Sequence, residues 1–252
     1  MLKRERQRLI LEELSVKKKV LAADLSKQFH CSEDTIRRDL RELDQQGLLR
    51  RIHSGAISLG PAVTTFEQRL SVNTDQKQSL VQKTLPLLTE DSILLIDGGT
   101  TNLELVKALP EDFSATIITN SPYITIEAIK RKNIETIVLG GIMAKRAAVS
   151  LGVEALEALD TLRIDTYVMG IYNLDPEKGM TVHSQQESQV KRKMTEVSDE
   201  VIGMASADKL GVYSNYICCA AEAINVLVTD SKDDAMLEKL EKKQISIERV
   251  RR

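Results

Sequence analysis

Apolar positions in the first fifty residues recur at helical spacing in three separate stretches. The residues that set the spacing are Leu9, Ile10, Leu14, Leu21, Leu25, Phe29, Ile36, Leu40 and Leu43. They predict helices over residues 3–14, over residues 21–29 and from the residue after Ser32 to about Gly47. Ser32 is a suitable N-cap for the third helix, and Gly47 is typical of a helix C-terminus.

Two short runs, LLRRI and AISL, follow the third helix on either side of His53-Ser54-Gly55. Such runs around a glycine-containing corner predict a β-hairpin. Two short helices joined by a tight corner and followed by a hairpin are typical of a winged helix-turn-helix. The sequence therefore predicts a DNA-reading domain over residues 1–57.

The pattern changes twice further along the chain. Residues 58–74 are polar and contain Pro61, which favours a linker. Beyond residue 75, short apolar runs alternate with helical stretches: ILLID (93–97), TIITN (116–120), TIVLGG (136–141), TYVMGI (166–171), VIGMA (201–205) and NVLVTD (225–230). This alternation predicts a largely parallel sheet with helices on both faces. The expected fold class is thus two-domain, an α+β winged helix-turn-helix followed by an α/β domain over residues 75–252.

The third helix carries arginines opposite its apolar side. Arginine can grip guanine or phosphate with two parallel hydrogen bonds, which suits it to reading DNA. The hairpin would supply further cations along the DNA backbone or minor groove. The predicted DNA-binding residues are Ser32, Thr35, Arg37, Arg38, Arg41, Arg50, Arg51 and His53. The alternative is a solvated amphipathic helix whose arginines serve only solubility.

Charge is distributed unevenly along the chain, although the net charge is only −2. Residues 1–60 hold 13 Lys and Arg against 9 Asp and Glu, whereas the remainder holds 22 against 28. A basic N-terminal part and an acidic remainder of the chain indicate two domains with different partners. This distribution favours double-stranded DNA as the partner of the first domain.

The predicted strand ends of the second domain are rich in glycine and small polar residues. After Asp97, Gly98 and Gly99 let the backbone approach an anion, and Thr100 and Thr101 open a helix whose N-terminus offers donors. The segment is neither a Walker A loop nor a GxGxxG fingerprint. Asn120 and the pair Gly140-Gly141 end two further strands, and ligands gather at such ends of parallel sheets. Lysines that could add charge to this site are Lys77, Lys191 and Lys209.

The stretch TIRRDLRELDQQGLLRRIHSGA closely resembles the signature of the DeoR family of bacterial transcriptional regulators. Ser54 stands where the family pattern has a glycine. The resemblance continues through most of the chain, including Phe66, Arg69, Asn73, Gly152 and a glutamate-then-Lys-Arg helix at Glu187. It implies a second domain that resembles ribose-phosphate isomerase and CoA-transferase and senses phosphorylated sugars or polyols.

The effector residues expected from this resemblance and from the strand ends are Lys77, Asp97, Gly98, Gly99, Thr100, Thr101, Asn120, Gly140, Gly141, Lys191 and Lys209. One position departs from the family pattern. An aspartate usually stands three residues before the lysine that aligns with Lys209, but here that residue is Ser206. Asp208 is the nearest carboxylate that could replace it.

Two other readings of the second domain remain open. It could be an isomerase-like enzyme with Glu187 or Asp97 as general base, although no acid–base partner is recognisable. It could also serve oligomerisation alone, which the departure at Ser206 keeps in play. In the reading that the sequence favours, the protein is a repressor of carbohydrate-metabolism genes, is not an enzyme, and is released from its operator by the effector.

Compartment and assembly follow from a few further features. Cys31, Cys218 and Cys219 form no disulfide or metal-binding pattern, and the three histidines are scattered, so we expect reduced thiols and no metal or cofactor. No signal peptide or membrane span is evident, which predicts a cytoplasmic protein. A homo-oligomer is expected because paired reading heads match symmetric operators.

Overall fold

The computed structural model describes residues 1–46, 48–58 and 65–250. The chain divides into two compact units, Met1–Ala62 and Val63–Arg252. The expected helix stop at Gly47 and the first part of the expected linker, residues 59–64, lie outside the described residues. The two-domain fold class expected from the sequence is confirmed.

The first unit contains three helices and a three-stranded sheet. Its elements are α1 (Lys3–Lys17), β1 (Lys19–Leu21), α2 (Ala22–Phe29), α3 (Glu33–Gln45), β2 (Arg50–Ile52) and β3 (Gly55–Ile57). Most apolar residues predicted for the three helices are buried in one common core that includes Ile10, Leu25 and Ile36. The exception is Leu21, which belongs to β1 instead of the second helix and is 37% exposed. The predicted hairpin is confirmed as β2 and β3, so the unit is a winged helix-turn-helix.

The wing has one strand that the hydrophobic pattern did not predict. β1 pairs antiparallel with β3, which places β3 in the middle of the sheet. Gly55 lies against this strand so closely that a Cβ atom would overlap the Val20 carbonyl oxygen. Ser54, which replaces the family's other glycine, is exposed and does not adopt a positive φ. Serine is therefore accommodated at position 54, whereas position 55 requires glycine.

The second unit is built on a seven-stranded sheet. Its helices are α4 (Phe66–Leu70), α5 (Thr74–Thr84), α6 (Thr100–Ala108), α7 (Pro122–Ala128), α8 (Val153–Asp160), α9 (Gln185–Glu196) and α10 (Asp234–Glu241). Its strands are β4 (Ser92–Ile96), β5 (Ala115–Thr119), β6 (Ile134–Val138), β7 (Ile142–Ala144), β8 (Val149–Leu151), β9 (Ile164–Gly170), β10 (Asn173–Asp175), β11 (Gly179–Val182), β12 (Ser198–Ala205), β13 (Tyr216–Cys219), β14 (Val226–Thr229) and β15 (Ser246–Arg249). Short 3₁₀ turns occupy Leu85–Leu87, Ala207–Lys209 and Ala221–Ala223.

The main sheet has the order β15-β14-β12-β9-β4-β5-β6, and all its neighbours are parallel. All six strands predicted from apolar runs belong to it, because strands covered on both faces are continuously apolar. Two large apolar clusters cover it, one around Tyr167 and Met169 and the other around Leu94 and Val168. The carboxyl ends of all seven strands therefore lie at the same end of the sheet.

The strands that the sequence did not reveal are short or polar. β15 carries Glu248 and Arg249 at the sheet edge, so its apolar signal is weak. β10, β11 and β13 form a separate antiparallel sheet, and β7 pairs with β8 in a hairpin. Each of these strands has three or four residues, too few for a clear alternation of side chains.

The later part of the expected linker is ordered in the second unit. Residues 66–70 form α4, which begins with a capping box: the Thr65 hydroxyl accepts from Gln68 N, and the Gln68 side chain accepts from Thr65 N. Phe66 is buried and stacks on Tyr123 with ring centroids 4.4 Å apart. The Thr-Phe-Glu-Gln spacing is the sequence signal for this helix.

Candidate functional site

The polar side of α3 presents cations to solvent. Arg37, Arg38 and Arg41 are exposed, opposite the buried apolar side of the helix. Arg37 pairs with Glu33 one turn earlier at 3.3 Å. Within the described part of the chain, the guanidinium groups of Arg38 and Arg41 make no hydrogen bond or ion pair. They are thus exposed donors on the helix that a winged helix-turn-helix inserts into the major groove.

The N-terminal end of α3 is held by a hydroxyl cap. Ser32 Oγ accepts from Thr35 N at 3.3 Å and lies 2.9 Å from Thr35 Oγ1. Ser32 is exposed and Thr35 is half-buried. Both predicted residues therefore lie at the positive end of the recognition helix, where a phosphate is favoured.

A buried ion pair joins α1 to α3, and the sequence analysis did not anticipate it. Asp39 is only 2% exposed, and its Oδ2 accepts from Arg6 Nε at 2.5 Å. The hydrogen bond to Asp39 raises the pKa of Arg6 despite burial. Asp39 flanks the apolar side of α3, which is the signal that could have revealed the pair. The ion pair between Arg6 and Asp39 therefore holds α3 against α1 in addition to their apolar contacts.

The wing adds further polar groups. Arg51 and His53 are exposed on and beside β2, and Arg50 is half-buried. The backbone N–H of Arg51 donates to Asp44 Oδ1 at 3.2 Å, which ties the strand to the end of α3. The wing and the recognition helix are thus joined directly, and each carries outward cations.

In the second unit, the Asp97 carboxylate lies at the end of β4 and is 2% exposed. Its Oδ1 accepts from Gly170 N at 2.7 Å and from Asn102 Nδ2 at 2.9 Å. Its Oδ2 accepts from Tyr167 Oη at 2.5 Å and from Lys191 Nζ. These groups, Asp97, Asn102, Tyr167, Gly170 and Lys191, are called the strand-end cluster below. Asp97 and Lys191, both expected to bind effector, are bonded to each other.

The buried charges of the strand-end cluster stabilise one another. Burial lowers the pKa of Lys191, but Asp97 and Glu187 more than offset this, so its net pKa is raised and it remains a cation. Burial and then Asp97 raise the pKa of Tyr167 well above its usual value, which keeps its hydroxyl as a donor. Lys191 Nζ also donates to the Gly170 carbonyl at 2.9 Å. The cluster thus links β4, β9 and α9.

The predicted anion loop, residues 97–101, leads directly into α6. The first N–H groups of any helix have no intrahelical partner. Gly99 is the N-cap of α6 and has no side chain that could accept a hydrogen bond from them. Thr100 is buried, Thr101 is half-buried, and a Cβ atom on Gly98 would overlap the Val149 side chain. A helix N-terminus of this kind favours a negatively charged group.

The β7–β8 hairpin lies against two of these strand ends. Asn120 Nδ2 donates to the Ser150 carbonyl at 3.0 Å, and the Asn120 carbonyl accepts from Ser150 N at 2.8 Å. Gly141 has a φ of 126° and packs against the Leu151 carbonyl, whereas Gly140 is open to space. Asn120 and Gly141 therefore position the hairpin, and the atoms nearest to Gly141 belong to Leu151 rather than to the strand-end cluster.

The Lys77 side chain is engaged by hydrogen bonds within the protein, whereas the Arg69 side chain is not. Lys77 is buried, and its Nζ donates to the carbonyl oxygens of Arg69 at 2.5 Å and Leu70 at 3.2 Å, at the end of α4. The Arg69 guanidinium makes no hydrogen bond with another described residue, and its Nε is buried without a partner. Burial lowers the pKa of Arg69, while Glu187 raises it. Arg69 is the cation that the list of expected effector residues missed.

The Lys209 side chain is a second cation without a hydrogen-bond partner among the described residues. Its pKa is lowered to about 8, mainly by burial and also by the positive charges of Arg69, Lys191 and Lys77, while Asp208 acts in the opposite direction. Ser206 Oγ lies 2.5 Å from Asp208 Oδ1, so the serine that replaces the family's aspartate bonds to the nearby carboxylate. Arg69 and Lys209 are called the effector cations below.

Glu187 is the carboxylate that accompanies the effector cations. Burial raises its pKa, while the positive charges of Lys191, Arg69 and Arg146 lower it. Its position on α9 is one turn before Lys191. A carboxylate beside two cations can accept hydroxyl hydrogen bonds from a ligand whose anionic group the cations hold.

No group of three or more His, Cys, Asp or Glu side chains in the described residues has an arrangement that could hold a metal ion. No described helix has the length and apolar character required to span a bilayer.

Family comparison identifies both units. Residues 6–61 match the DeoR-like helix-turn-helix domain, and residues 72–231 match the DeoR C-terminal sensor domain. The chain belongs to the DeoR family of transcriptional regulators. It is therefore a DNA-binding regulator, and the winged unit described above is its DNA-binding domain.

Relatives in the DeoR family cover nearly the whole chain. The chain is 32% identical to the transcriptional regulator GlpR of Haloferax volcanii over 93% of its own length and 92% of the relative's. It is 28% identical to the repressor GlcR of Bacillus subtilis, covering 91% and 89%. It is also 28% identical to the L-fucose operon activator of Haemophilus influenzae, covering 89% and 91%. These relatives are transcriptional regulators.

Solved structures show weaker likeness. Full-length SorC, the sorbitol operon regulator of Klebsiella pneumoniae, aligns with a TM-score of 0.44 and 15% identity over 92% of this chain and 98% of SorC. Ribose 5-phosphate isomerase A of Neisseria gonorrhoeae aligns at 0.41 with 13% identity, over 60% and 56%. Neither likeness extends the functional argument.

The strand-end cluster yields a stability prediction. Asp97→Asn should lower the free energy of unfolding of the second unit by about 3–5 kcal/mol, because it leaves Lys191 buried beside a neutral amide. The double variant Asp97→Asn/Lys191→Met should recover most of that loss. Urea unfolding followed by circular dichroism measures both.

Asp160→Asn is the matched control, because it removes an exposed aspartate from the ion pair between Lys193 of α9 and Asp160 of α8. Its cost should not exceed about 1 kcal/mol. Equal losses in Asp97→Asn and Asp160→Asn would contradict the role given to the buried pair.

Proposed function

We propose that this regulator represses carbohydrate-metabolism genes by binding an operator through α3 and the wing. A phosphorylated sugar or polyol binds beside the strand-end cluster and lowers operator affinity. The observation that carries the sensing part is the buried, unpartnered Nε of Arg69 beside Lys209 and Glu187. An unpaired buried donor costs free energy, and an anionic ligand removes that cost.

In this proposal the ligand's phosphate lies between the effector cations and the N-terminus of α6. Asp97 and Lys191 do not contact the phosphate, because each already satisfies the other's charge. Glu187 accepts hydroxyl hydrogen bonds from the sugar, a role that an aspartate at position 206 would otherwise share. Asn120 and Gly141 hold the hairpin, and Lys77 holds α4 so that Arg69 faces the site.

On the DNA side, Arg38 and Arg41 read bases, and Arg37, Arg50, Arg51 and His53 contact the backbone. Ser32 and Thr35 hold a phosphate at the start of α3. The protein acts in the cytoplasm as a homo-oligomer, so that two recognition helices meet one operator. The ligand changes operator affinity only through its different affinities for the free and DNA-bound arrangements.

A second candidate function has a specific observation behind it. Because Ser206 replaces the family's aspartate, the second unit could bind a different ligand or none, and serve assembly alone. An enzymatic role receives no comparable support, since Glu187 and Asp97 lie among cations and donors with no paired acid and base.

The base-reading role of Arg38 is tested by Arg38→Ala. The variant should lose about 1–3 kcal/mol of preference for the operator over unrelated DNA and keep most of its non-specific affinity. Fluorescence anisotropy on both DNAs at one salt concentration measures the ratio. Lys27→Ala, on α2, is the control and should leave the ratio unchanged. An equal loss on both DNAs for Arg38→Ala would assign it to phosphate.

The role of Lys209 predicts a pH dependence. Its pKa of about 8 means that it is charged at pH 7 and largely neutral at pH 9. A sugar phosphate is already a dianion at pH 7, since its second pKa is about 6. Effector affinity should therefore be highest near pH 7 and fall above pH 8, by up to about tenfold per pH unit.

Calorimetric titration with a panel of triose and hexose phosphates between pH 7 and 9 measures this dependence. Lys209→Arg is the matched control, because arginine stays charged and should make the affinity independent of pH in this range. A wild-type affinity that does not change between pH 7 and 9 would remove Lys209 from the phosphate site.

A further inference from the structure

One edge of the main sheet exposes an unusual number of large apolar side chains. The exposed side chains are Ile126, Ile129, Ile137, Val138, Ile142, Met143 and Val153, which we call the β6 patch. Their exposed fractions run from 38% to 67%. Scattered apolar residues are ordinary on a protein surface, but these come from consecutive elements, β6, β7 and the adjoining ends of α7 and α8.

The members of the β6 patch are neighbours in the fold. Ile137 and Val138 end β6, and Ile142 begins β7 four residues later. Ile142 pairs with Leu151 on β8, and Val153 follows two residues after Leu151. α7 packs against β6 and brings Ile126 and Ile129, which lie on one side of that helix, to the same edge. The patch thus follows the edge strand β6 and the elements beside it, rather than consisting of seven separate residues.

The segment through this edge lacks charge. Residues 136–144, TIVLGGIMA, contain no charged side chain, although most of them are exposed. β6 is an edge strand of the seven-stranded sheet. Proteins ordinarily protect a free edge with charges or cover it, because an apolar edge promotes aggregation. This edge carries no such protection along β6 and β7 beyond Glu135.

The opposite edge of the same sheet provides a comparison. β15 is the other edge strand, and it carries Glu248 and Arg249. Glu248 pairs with Lys83 at 2.8 Å, and Arg249 pairs with Asp234 at 2.6 Å. The β15 edge thus carries paired charges that suit contact with water, whereas the β6 edge carries apolar side chains that suit a covered surface.

The proposed effector does not account for the β6 patch. A ligand made of hydroxyl and phosphate groups gains nothing from isoleucine, valine and methionine side chains. The groups assigned to it, Arg69, Lys209 and the start of α6, lie on other elements. Gly140 and Gly141, which the sequence suggested for the effector, fall inside the uncharged segment and are better explained by the close turn between β6 and β7.

We propose that the β6 patch is covered by the same patch of a second copy of this chain. Seven half-exposed large side chains present several hundred Å², comparable with the roughly 800 Å² that each partner buries in an interface of standard size. A twofold interface brings identical patches together, so an apolar surface is complementary to itself. This inference rests on the proposed function in one respect: a regulator of a symmetric operator requires two reading heads.

The test is the mass of the full-length protein without DNA, by sedimentation equilibrium over a range of micromolar concentrations. The wild type should contain at least two chains. Ile142→Glu should raise the dissociation constant by roughly 100-fold or more, because twofold symmetry places the unpaired carboxylate in the interface twice. Ile126→Glu, on a different element of the patch, should act in the same direction.

Ile217→Glu is the matched control, since Ile217 is also an exposed isoleucine, 51% exposed on β13, outside the patch. It should leave the mass unchanged. The circular dichroism spectrum of Ile142→Glu at 25 °C should match that of the control, which separates loss of association from loss of folding. A monomeric wild type, or an Ile142→Glu variant with unchanged association, would overturn the proposal.

One further outcome also decides the matter. A monomeric wild type whose residues 136–144 are protected from hydrogen exchange would mean that the patch is covered within the chain, which overturns the second copy as occupant. Failure of the proposed function is distinguishable, because it appears as absent operator or effector binding while the mass measurement still gives its own answer.

Discussion

The buried contact between Asp97 and Lys191 is the interaction on which the sensor domain's candidate site depends. A lysine cation within a protein requires a compensating charge, and Asp97 supplies it while three further donors satisfy the carboxylate. These donors come from β9 and α6, and Lys191 comes from α9. The ends of two central strands and two helices are therefore fixed in one arrangement.

This arrangement separates charge that holds the fold from charge that remains for a ligand. Asp97, Lys191 and Lys77 are engaged by internal partners, whereas the side chains of Arg69 and Lys209 make no hydrogen bond with another described residue. The first unit repeats the same division on a smaller scale. Its Arg6–Asp39 pair is buried, while Arg38 and Arg41 point to solvent. In both units, internal ion pairs position the groups that we propose for binding.

The sequence predicted much of the fold because apolar spacing and burial are local properties. Ile36, Leu40 and Leu43 predicted the orientation of α3, and continuous apolar runs predicted six strands of the main sheet. Polar partners were harder to predict, because the sequence does not show which lysine meets which carboxylate. We predicted that Lys77 and Lys191 bind the effector because they are lysines. The tertiary structure shows that Lys77 donates to the carbonyl oxygens of Arg69 and Leu70, and that Lys191 donates to Asp97. β15 was missed since edge strands tolerate charge, and α4 was missed although Thr65 and Gln68 have capping-box spacing.

The central claim is that ligand binding beside the strand-end cluster controls DNA binding by the first unit. Fluorescence anisotropy of full-length protein on DNA from upstream of its own gene, near physiological salt, tests this directly when a panel of sugar phosphates is added. We expect the protein to bind this DNA specifically. At least one phosphorylated sugar or polyol should release the protein from the DNA, and the unphosphorylated form of the same compound should not. Specific binding that every member of the panel leaves unchanged would contradict the account and favour a second unit that serves assembly or another ligand.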